Sequence, residues 1–284
     1  MGTHRRLGGY RLLDEIGRGT TSVVHLGMDP TGREVAVKEL LPQFEADPDG
    51  RRRLAREMAV QSRVRSPYVA RLIDGEVNAA RPYVVMEYVV GQPLGGLVEQ
   101  YGPYTGDRLS RLARRLVLGL AAVHDAGVLH RDVAPKNVIV LGDRPTLIDF
   151  GIAHEAGVEQ VTRPGIVAGT PAYLAPELIE GEQATPASDV FSWAATIAYA
   201  ATGRSPFGTG SLHGVCFRIL RGDADLAGIG EPLASLLPLG LRREPSRRPT
   251  ARWFAGALAD GDPGGRPSGG SEGEATSSGG VMAA

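Results

Sequence analysis

Three polar side chains stand at spacings that suit the transfer of a phosphoryl group. Asp132 precedes Asn137 by five residues within HRDVAPKN, and Asp149 follows Asp132 by seventeen residues within IDFG. Phosphoryl transfer needs a carboxylate that orients the attacking hydroxyl and accepts its proton, together with oxygen ligands for a metal ion. These residue types suit a catalytic base at Asp132 and metal ligands at Asn137 and Asp149, and the alternative is a surface turn rich in polar residues.

Lysine occurs only twice in the 284 residues, at Lys38 and Lys136, whereas arginine occurs 29 times. The two cations are not interchangeable, because the lysine ammonium is a compact point charge and the arginine guanidinium is a broad planar fork. Where a sequence avoids lysine this strongly, the remaining two are expected at positions that arginine does not suit. Lys38 ends VAVK and Lys136 lies within HRDVAPKN, so both are predicted to neutralise phosphate charge.

A glycine-containing segment, GRGTTSVV, lies between two predicted strands and precedes Lys38. Glycine lets the backbone approach a phosphate chain and present its N–H groups to it. A tight hairpin would have a similar composition, so this motif gains weight only beside the others. The nucleotide contacts predicted from this segment are Gly17, Arg18, Gly19, Thr20, Thr21, Ser22 and Val24.

An ammonium at Lys38 that holds phosphates needs a carboxylate to orient it. The helix predicted next in the chain supplies Glu57 as the candidate. Glu39 would point to the opposite face of the strand from Lys38, and Glu45 lies in a loop flanked by proline. The alternative role for Glu57 is an ordinary surface partner of Arg53, four residues earlier on the helix. The spacing favours Glu57 as the partner of Lys38.

The elements that must position these residues change character along the chain. Strand patterns at 10–16, 23–28, 34–40 and 81–88 and one helix at 50–64 fill the first part. After Gly91 the apolar residues recur at helical spacing, first over 109–121. Further helices are predicted at 186–202, 212–221 and 249–259. A small β-rich lobe followed by a larger helical lobe is the expected architecture.

The composition is that of an ordinary soluble chain, with a net charge of −1 and 42% hydrophobic residues. No basic excess indicates binding to nucleic acid.

The single cysteine, Cys216, excludes an internal disulfide and suggests a reducing compartment. The start lacks the apolar stretch of a signal peptide and has Arg6 where a myristoylation motif needs Ser or Thr. No apolar run is long enough to cross a membrane, so we expect a cytoplasmic chain. Gly, Ser and Pro make up 14 of the 24 residues in 261–284, which predicts a disordered tail.

Together these motifs resemble those of the eukaryotic-type protein kinases, specifically the bacterial (actinobacterial-like) Ser/Thr class. The resemblance extends over about residues 10–259 and includes GTPAYLAPE, SDVFSWA and EPSRRPT. It implies an α+β, bilobal fold with a small β-rich N-lobe containing one helix and a larger, mainly helical C-lobe. The implied boundaries are 1–88 for the N-lobe, 89–260 for the C-lobe and 261–284 for the tail.

The resemblance also implies roles for residues outside the catalytic motifs. Glu177 and Arg248 would form a buried ion pair that anchors the activation segment, and Asp189 would tie a central helix to the catalytic loop that begins at His130 and Arg131. In VVMEYVVG, backbone groups of the hinge would bind adenine. The residues implied around the adenine are Ala36, Met86, Glu87 and Tyr88.

The chain departs from the family pattern in its catalytic loop. Ser/Thr kinases usually carry lysine two residues after the catalytic aspartate, where this chain has Ala134. Lys136 lies at the position where tyrosine kinases place a basic residue. That position would agree with an altered substrate choice, but Thr170 in GTPAY matches the Ser/Thr class and favours Ser/Thr substrates. Because lysine is almost absent elsewhere, we expect Lys136 to reach the γ-phosphate from its shifted position. Arg131 suggests activation by a phosphate between DFG and APE, with Thr162 as the first candidate acceptor and Thr170 as the second.

The function that follows from the resemblance is an ATP-dependent protein Ser/Thr kinase using Mg²⁺, with Mn²⁺ as an alternative metal. Its partners would be proteins with Ser/Thr acceptors, and homodimerisation would permit autophosphorylation in trans. One alternative is a pseudokinase scaffold that binds nucleotide or partners without transfer, favoured only by Ala134 and Ser22. Another is a small-molecule phosphotransferase, against which the A-P-E segment, Asp189 and Arg248 indicate a protein-substrate platform.

Overall fold

A computed structural model gives the fold of the chain. It describes residues 5–19, 22–41, 48–149 and 171–259, without the side chains of residues 48–50, 53 and 171. The predictions for Thr20, Thr21, Thr162 and Thr170, and for the tail at 261–284, lie outside the described residues.

The first part of the chain is a six-stranded antiparallel sheet with one helix beside it. Its strands are β1 (Arg6–Leu7), β2 (Tyr10–Arg18), β3 (Ser22–Met28), β4 (Glu34–Leu40), β5 (Leu72–Glu76) and β6 (Tyr83–Glu87), and the helix α1 (Pro48–Gln61) lies between β4 and β5 in sequence. The order in the sheet is β1-β2-β3-β4-β6-β5, so β5 is an edge strand.

Successive side chains of β4 point to opposite faces of this sheet. Val35 and Val37 pack on one face with Tyr10 and Leu12, in a cluster of their own. Ala36, with other residues of the sheet, packs on the opposite face into the main core that extends through the helical part. Because side chains alternate along a strand, Lys38 lies on the face that looks toward the helices.

The second part of the chain is mainly helical. Its helices are α2 (Leu94–Tyr101), α3 (Gly106–Asp125), α4 (Pro176–Ile179), α5 (Pro186–Thr202), α6 (Leu212–Arg221), α7 (Leu233–Gly240) and α8 (Ala251–Ala257), and its small sheet is formed by β7 (Gln92–Pro93), β8 (Val138–Leu141) and β9 (Arg144–Leu147). Twelve of the seventeen residues of α5 are buried, which makes it the central helix of this part. The whole is the α+β arrangement that the sequence predicts.

The ends of α5 show why its bounds agree with the prediction. Thr185 and Ser188 form a reciprocal capping box, and Pro186 occupies the first turn, where its missing N–H costs nothing. Gly203 ends the helix with φ 70°, a left-handed conformation that glycine adopts without strain. The bounds of α6 also match the predicted 212–221.

The segment that precedes β5 joins the two parts at a second place besides the hinge, which follows β6. Val69 pairs with Leu147 of β9 as an isolated bridge. The Ala70 N–H donates to Leu147 O, and the Leu147 N–H donates to Tyr68 O, both at 2.8 Å. Among the described residues, no helix is long and apolar enough to cross a membrane.

Candidate active site

The loop that follows α3 is held in place by the central helix. The Asp189 carboxylate on α5 accepts the backbone N–H of His130 at 2.8 Å and that of Arg131 at 2.7 Å. Arg131 has φ 64°, a left-handed conformation that is costly for a residue with a side chain. Two charge-assisted hydrogen bonds from the backbone N–H groups to this buried carboxylate hold the loop in place.

Asp132 lies in this loop beside the two other polar residues of its motif. The Asn137 amide donates through Nδ2 to both the backbone oxygen and Oδ2 of Asp132, each at 2.8 Å. Lys136 Nζ lies 3.0 Å from the same Oδ2. A short 3₁₀ turn at Pro135–Asn137 brings the three together. The carboxylate is therefore fixed by an amide and faced by an ammonium, and the Lys136 side chain is half-exposed.

Lys38 and Asp149 meet on the other side of this loop. The buried Lys38 ammonium on β4 is in direct contact with Asp149 Oδ1. The residue before Asp149 is tied to the loop, because the Ile148 N–H donates to Asn137 O at 2.9 Å and the His130 ring donates to Ile148 O at 3.1 Å. Asp149 has φ 57°, also a left-handed conformation. Lys38, Asp132, Asn137 and Asp149 are thus connected through one network.

Glu57 does not pair with Lys38, and this part of the sequence prediction is wrong. Glu57 Oε1 lies 2.6 Å from Arg131 Nη1, whereas the carboxylate in contact with Lys38 is Asp149. Lys38 is thus paired with Asp149 rather than with the Glu57 that the spacing favoured, and Glu57 is paired with Arg131. The choice depends on where α1 lies against the loop, which the sequence does not state.

The exclusion of Glu39 as the partner of Lys38 is confirmed. Glu39 lies on the opposite face of β4, where it is buried and accepts from Arg81 at 2.6 Å and from Arg5 at 3.1 Å. His25 Nε2 lies 3.2 Å from the same carboxylate. The alternation of side chains along a strand was sufficient for this prediction.

The residues predicted for the nucleotide lie along neighbouring strands. Val24 pairs with Lys38 across β3 and β4, and Ala36 pairs with Met86 across β4 and β6. The Gly19 N–H donates to Ser22 O at 2.9 Å and closes the glycine segment, while β2 and β3 place Gly17 opposite Val24.

Two other predicted nucleotide contacts already have partners. Arg18 is exposed and pairs with Glu15 at 2.6 Å. The Glu87 N–H donates to Arg71 O at 2.9 Å, so an adenine contact from Glu87 has to come from its carbonyl. Tyr88 follows Glu87 directly at the end of β6.

Glu177 and Arg248 form a buried, two-pronged ion pair. Arg248 Nη1 lies 2.7 Å from Glu177 Oε1, and Nη2 lies 2.8 Å from Oε2. Ser188 donates to Glu177 at 2.7 Å, and Arg248 donates to the carbonyls of Arg242 and Arg243. Burial raises the pKa of the Glu177 carboxyl, but the hydrogen bonds from Arg248 and Ser188 outweigh it and leave the pKa below its ordinary value.

One contact to Asp189 was missed at the sequence level. His124 Nε2, in the last turn of α3, lies 2.9 Å from Asp189 Oδ2. The sequence feature that could have indicated this contact is a single histidine at the end of an apolar helical face, six residues before His130. His130 itself is fully buried, and burial lowers the pKa of its imidazole. A neutral His130 that donates from Nε2 fits its contact with the Ile148 carbonyl.

The donor set suits a cation that brings its own further ligands. Among the described residues, no group of three or more His, Cys, Asp or Glu side chains could hold a metal ion alone. Asn137 and Asp149 offer an amide oxygen and a carboxylate at one end of β9. Mg²⁺ is commonly held by one or two protein oxygens, with phosphate oxygens and water completing its octahedron, and these residues fit that pattern.

Comparison with known proteins gives consistent matches over this whole region. A family model described as protein kinase domain matches residues 10–256. The probable serine/threonine-protein kinase PkwA of Thermomonospora curvata is 40% identical over 245 residues, which are 86% of this chain and 33% of that protein. The serine/threonine-protein kinase AfsK of Streptomyces coelicolor is 34% identical over 256 residues, 90% of this chain and 32% of AfsK.

A solved structure shares the fold. The crystal structure of Rad53 1–466 in complex with AMP-PNP matches with a TM-score of 0.73 and 25% identity, over 87% of this chain and 64% of that one. The predicted α+β, bilobal fold is thereby confirmed. The present chain spans about a third of the length of PkwA and of AfsK.

Proposed function

Because this chain belongs to the protein kinase family, we propose that it is an ATP-dependent protein Ser/Thr kinase that transfers the γ-phosphate to hydroxyls of protein substrates. The observation that carries the proposal is the single network joining Lys38, Asp149, Asn137 and Asp132. Positioning and electrostatic stabilisation supply most of the catalysis in phosphoryl transfer, and this network provides charges of both signs for that purpose.

Each residue of the network has a distinct task in the proposed reaction. Asp132 orients the acceptor hydroxyl and takes its proton, and Asn137 fixes the carboxylate for that task. Lys136 places a positive charge beside Asp132. This charge neutralises the negative charge of the phosphoryl group during its transfer to the acceptor hydroxyl. Asn137 and Asp149 would hold Mg²⁺, or Mn²⁺ as the alternative, and the metal would supply further neutralisation of phosphate charge. Lys38 holds the phosphate chain from the β-rich side.

We also propose that the division between lobes falls at residues 88 and 89. The end of β6 at Glu87 and the start of β7 at Gln92 support this boundary, because the chain between them joins the large sheet to the helical part. ATP would lie against Ala36, Met86 and the hinge. Protein substrates would approach Asp132 from the side of the exposed Lys136.

Autophosphorylation in the segment between the DFG and APE motifs is part of the proposal. Thr162 is the first candidate acceptor and Thr170 the second, and homodimers would permit transfer in trans. Arg131 supports this because it links the catalytic loop to Glu57 of α1, and a phosphate with roughly two negative charges competes with a carboxylate for such an arginine. Mass mapping of the active protein would identify the acceptor, and an unmodified 152–176 segment would contradict this part.

Incubation with labelled ATP tests the main proposal. The chain is incubated alone, with a generic basic protein, and with a mixture of small hydroxyl compounds, and Asp132→Asn is run in parallel. We expect label on the chain and on the added protein, and loss of both in Asp132→Asn. Nucleotide binding without transfer would instead support the pseudokinase scaffold, and label on small molecules alone would support a small-molecule phosphotransferase.

A further inference from the structure

A cavity lies beside the hinge, and it shares only Glu87 and Tyr88 with the residues assigned to the nucleotide. It encloses about 440 Å³ between the β3–β4 turn, the segment after α1, the start of β5 and the hinge. We call it the hinge pocket. Its polar lining comprises Arg33, Glu34, Arg65, Ser66, Arg71 and Glu87. The volume is within the range of small-ligand sites, about 300–1,000 Å³, and it accommodates a few amino-acid residues.

The walls of the hinge pocket are held by buried groups and backbone hydrogen bonds. Val64 and Val69 form its apolar floor and are buried. The segment between them is fixed to the helical part, because Arg144 donates to Pro67 O at 3.0 and 3.1 Å. The Arg71 carbonyl accepts from the hinge N–H of Glu87. The cavity is therefore formed before any ligand enters, which reduces the entropic cost of binding.

Three arginines line this cavity, and over the ranges that the structure describes none of them forms an ion pair with the two glutamates of the lining. Within the described part of the chain, Arg65 and Arg71 form no ion pair; Arg65 donates instead to the carbonyls of Ser62 and Val64, at 2.5 and 3.0 Å. Arg33 reaches Asp29 through Nε at 3.4 Å. Glu34 and Glu87 likewise form no ion pair among the described residues. Most guanidinium N–H donors of the pocket thus remain available to a ligand.

The chemistry of these donors selects the ligand class. Guanidinium forks match the oxygens of a phosphate in two-pronged hydrogen bonds, and the Ser66 hydroxyl adds a further donor. Glu34 and Glu87 stand on the same walls and repel an extended polyanion such as nucleic acid or an anionic lipid surface. A ligand with a single phosphate can bind the arginines through that phosphate. Its uncharged remainder can lie next to the two carboxylates without repulsion.

The position of the pocket favours a phosphate that is carried on a polypeptide. Ile73 of β5 lines the cavity, and β5 is the edge strand of the sheet. An edge strand presents unpaired backbone groups that an extended peptide can use. We propose that the hinge pocket binds a phosphorylated serine or threonine of a partner protein, with Arg33, Arg65 and Arg71 as the phosphate ligands.

Fluorescence anisotropy with a defined probe tests this proposal on the full chain. The probe is a labelled peptide of glycines around one phosphothreonine, compared with the same peptide lacking the phosphate. We expect the phosphorylated probe to bind roughly tenfold more tightly. Arg65→Gln and Arg71→Gln should each remove most of that advantage, while Glu34→Gln should strengthen binding. Affinity should fall as salt is raised.

Arg63→Gln is the matched control, because Arg63 is an exposed arginine on the same segment but outside the lining. It should bind the probe within about twofold of the unaltered chain. A transfer assay with labelled ATP on the same variants should show undiminished activity, which verifies that they are folded. Phosphopeptide binding is measured by anisotropy and phosphoryl transfer by the label from ATP, so the two proposals can fail independently of each other.

Four outcomes would overturn the proposal. The first is equal binding of the two probes, and the second is unchanged binding by Arg65→Gln and Arg71→Gln. The third is competition by inorganic phosphate or by vesicles of phosphatidylserine at concentrations as low as the peptide itself requires, which would assign the arginines to a free anion or a lipid headgroup. The fourth is a dimer in sedimentation experiments that depends on Arg71 without any phosphopeptide effect, which would assign the surface to a second copy of this chain.

Discussion

Lys136 lies beside Asp132, whereas position 134 holds a buried alanine. The Lys136 ammonium lies 3.0 Å from Asp132 Oδ2 although it comes four residues after it in the chain. The 3₁₀ turn at Pro135–Asn137 brings the two residues together. Under the proposed function, this ammonium supplies the positive charge beside the catalytic base.

Lys136→Ala tests this role. Removal of one preorganised cation from the region of charge development typically lowers kcat by about a hundredfold or more. We expect such a loss in kcat, with the affinity for ATP changed by less than about threefold, because Lys38 remains. Lys136→Arg keeps the charge but not the compact geometry, and it should recover only part of the rate. Near-normal turnover in Lys136→Ala would refute the role.

Glu177→Gln tests the buried ion pair. Arg248 would keep its charge in a buried site after losing its counterion, and breaking such a pair typically costs about 3–5 kcal/mol of unfolding free energy. The matched control is Glu180→Gln, which removes the exposed partner of Arg243 and should cost less than about 1 kcal/mol. Urea denaturation of both variants measures the two losses. Equal losses would show that the burial of the pair contributes nothing.

The sequence predicted which polar residues come together in the candidate site better than it predicted how they pair. Asp132, Asn137 and Asp149 are recognisable because their spacing is constrained by one loop and one hairpin. The partner of Lys38 is different, because Glu57 and Asp149 come from separate elements. Their choice of cation depends on the tertiary position of α1, and no local pattern encodes that position.

At the scale of elements, the contact between α1 and β5 depends on a residue without a side chain. A Cβ at Gly75 would clash with Met58 Cε of α1 and would lie 2.9 Å from Tyr83 O on the neighbouring strand. The backbone oxygen cannot move without disturbing the sheet, so α1 or β5 would have to shift. Because α1 carries Glu57, this packing also sets the contact with Arg131.

Gly75→Ala should therefore destabilise the chain and disturb the site together. Overpacking typically costs about 1–3 kcal/mol, and we expect a fall in kcat from the displaced α1. A second substitution, Met58→Ala, in the Gly75→Ala chain should restore part of the stability and part of kcat, because it removes the Cε atom that the new Cβ would meet. Gly96→Ala on α2 is the control, since a Cβ there meets nothing within 4 Å. Thermal denaturation and the transfer assay measure the two effects, and an unperturbed Gly75→Ala chain would contradict this account.

Elements with a clear periodicity were predicted, and those interrupted by breakers were not. α3, α5 and α6 keep a helical pattern, which the one internal glycine of α3 and of α6 does not interrupt, whereas α2 contains two adjacent glycines and α7 contains Pro238. β5 reads LIDGE, in which an aspartate and Gly75 hide the strand pattern. These elements form because tertiary packing buries residues such as Leu94 and Leu237, and local propensity alone does not reveal that burial.

At the scale of the whole molecule, the stability of the chain should fall with acidification in two steps. His130 and Glu177 both have a folded pKa below their ordinary values of 6.5 and 4.5. Such a group binds more protons in the unfolded chain once the pH falls below its ordinary pKa, so the free energy of unfolding decreases there. Above about pH 7 both groups make their full contribution to the free energy of unfolding.

Urea denaturation at a series of pH values checks this expectation. The free energy of unfolding should be constant near pH 8, decrease as the pH falls below about 6.5 and decrease further below about 4.5. An increase in the free energy of unfolding as the pH falls from about 7.5 to 5.5 would instead mean that the folded chain protonates His130 more readily than the unfolded chain does.

The pairing of Val69 with Leu147 gives the molecule a second attachment between its two lobes, in addition to the covalent hinge. A widening of the cleft that rotates one lobe about these two attachments would keep both peptide hydrogen bonds of Leu147, whereas sliding or twisting of one lobe across the other would break them. The contacts of Lys38 with Asp149 and of Glu57 with Arg131 also cross between the lobes, so we expect such a rotation to separate them.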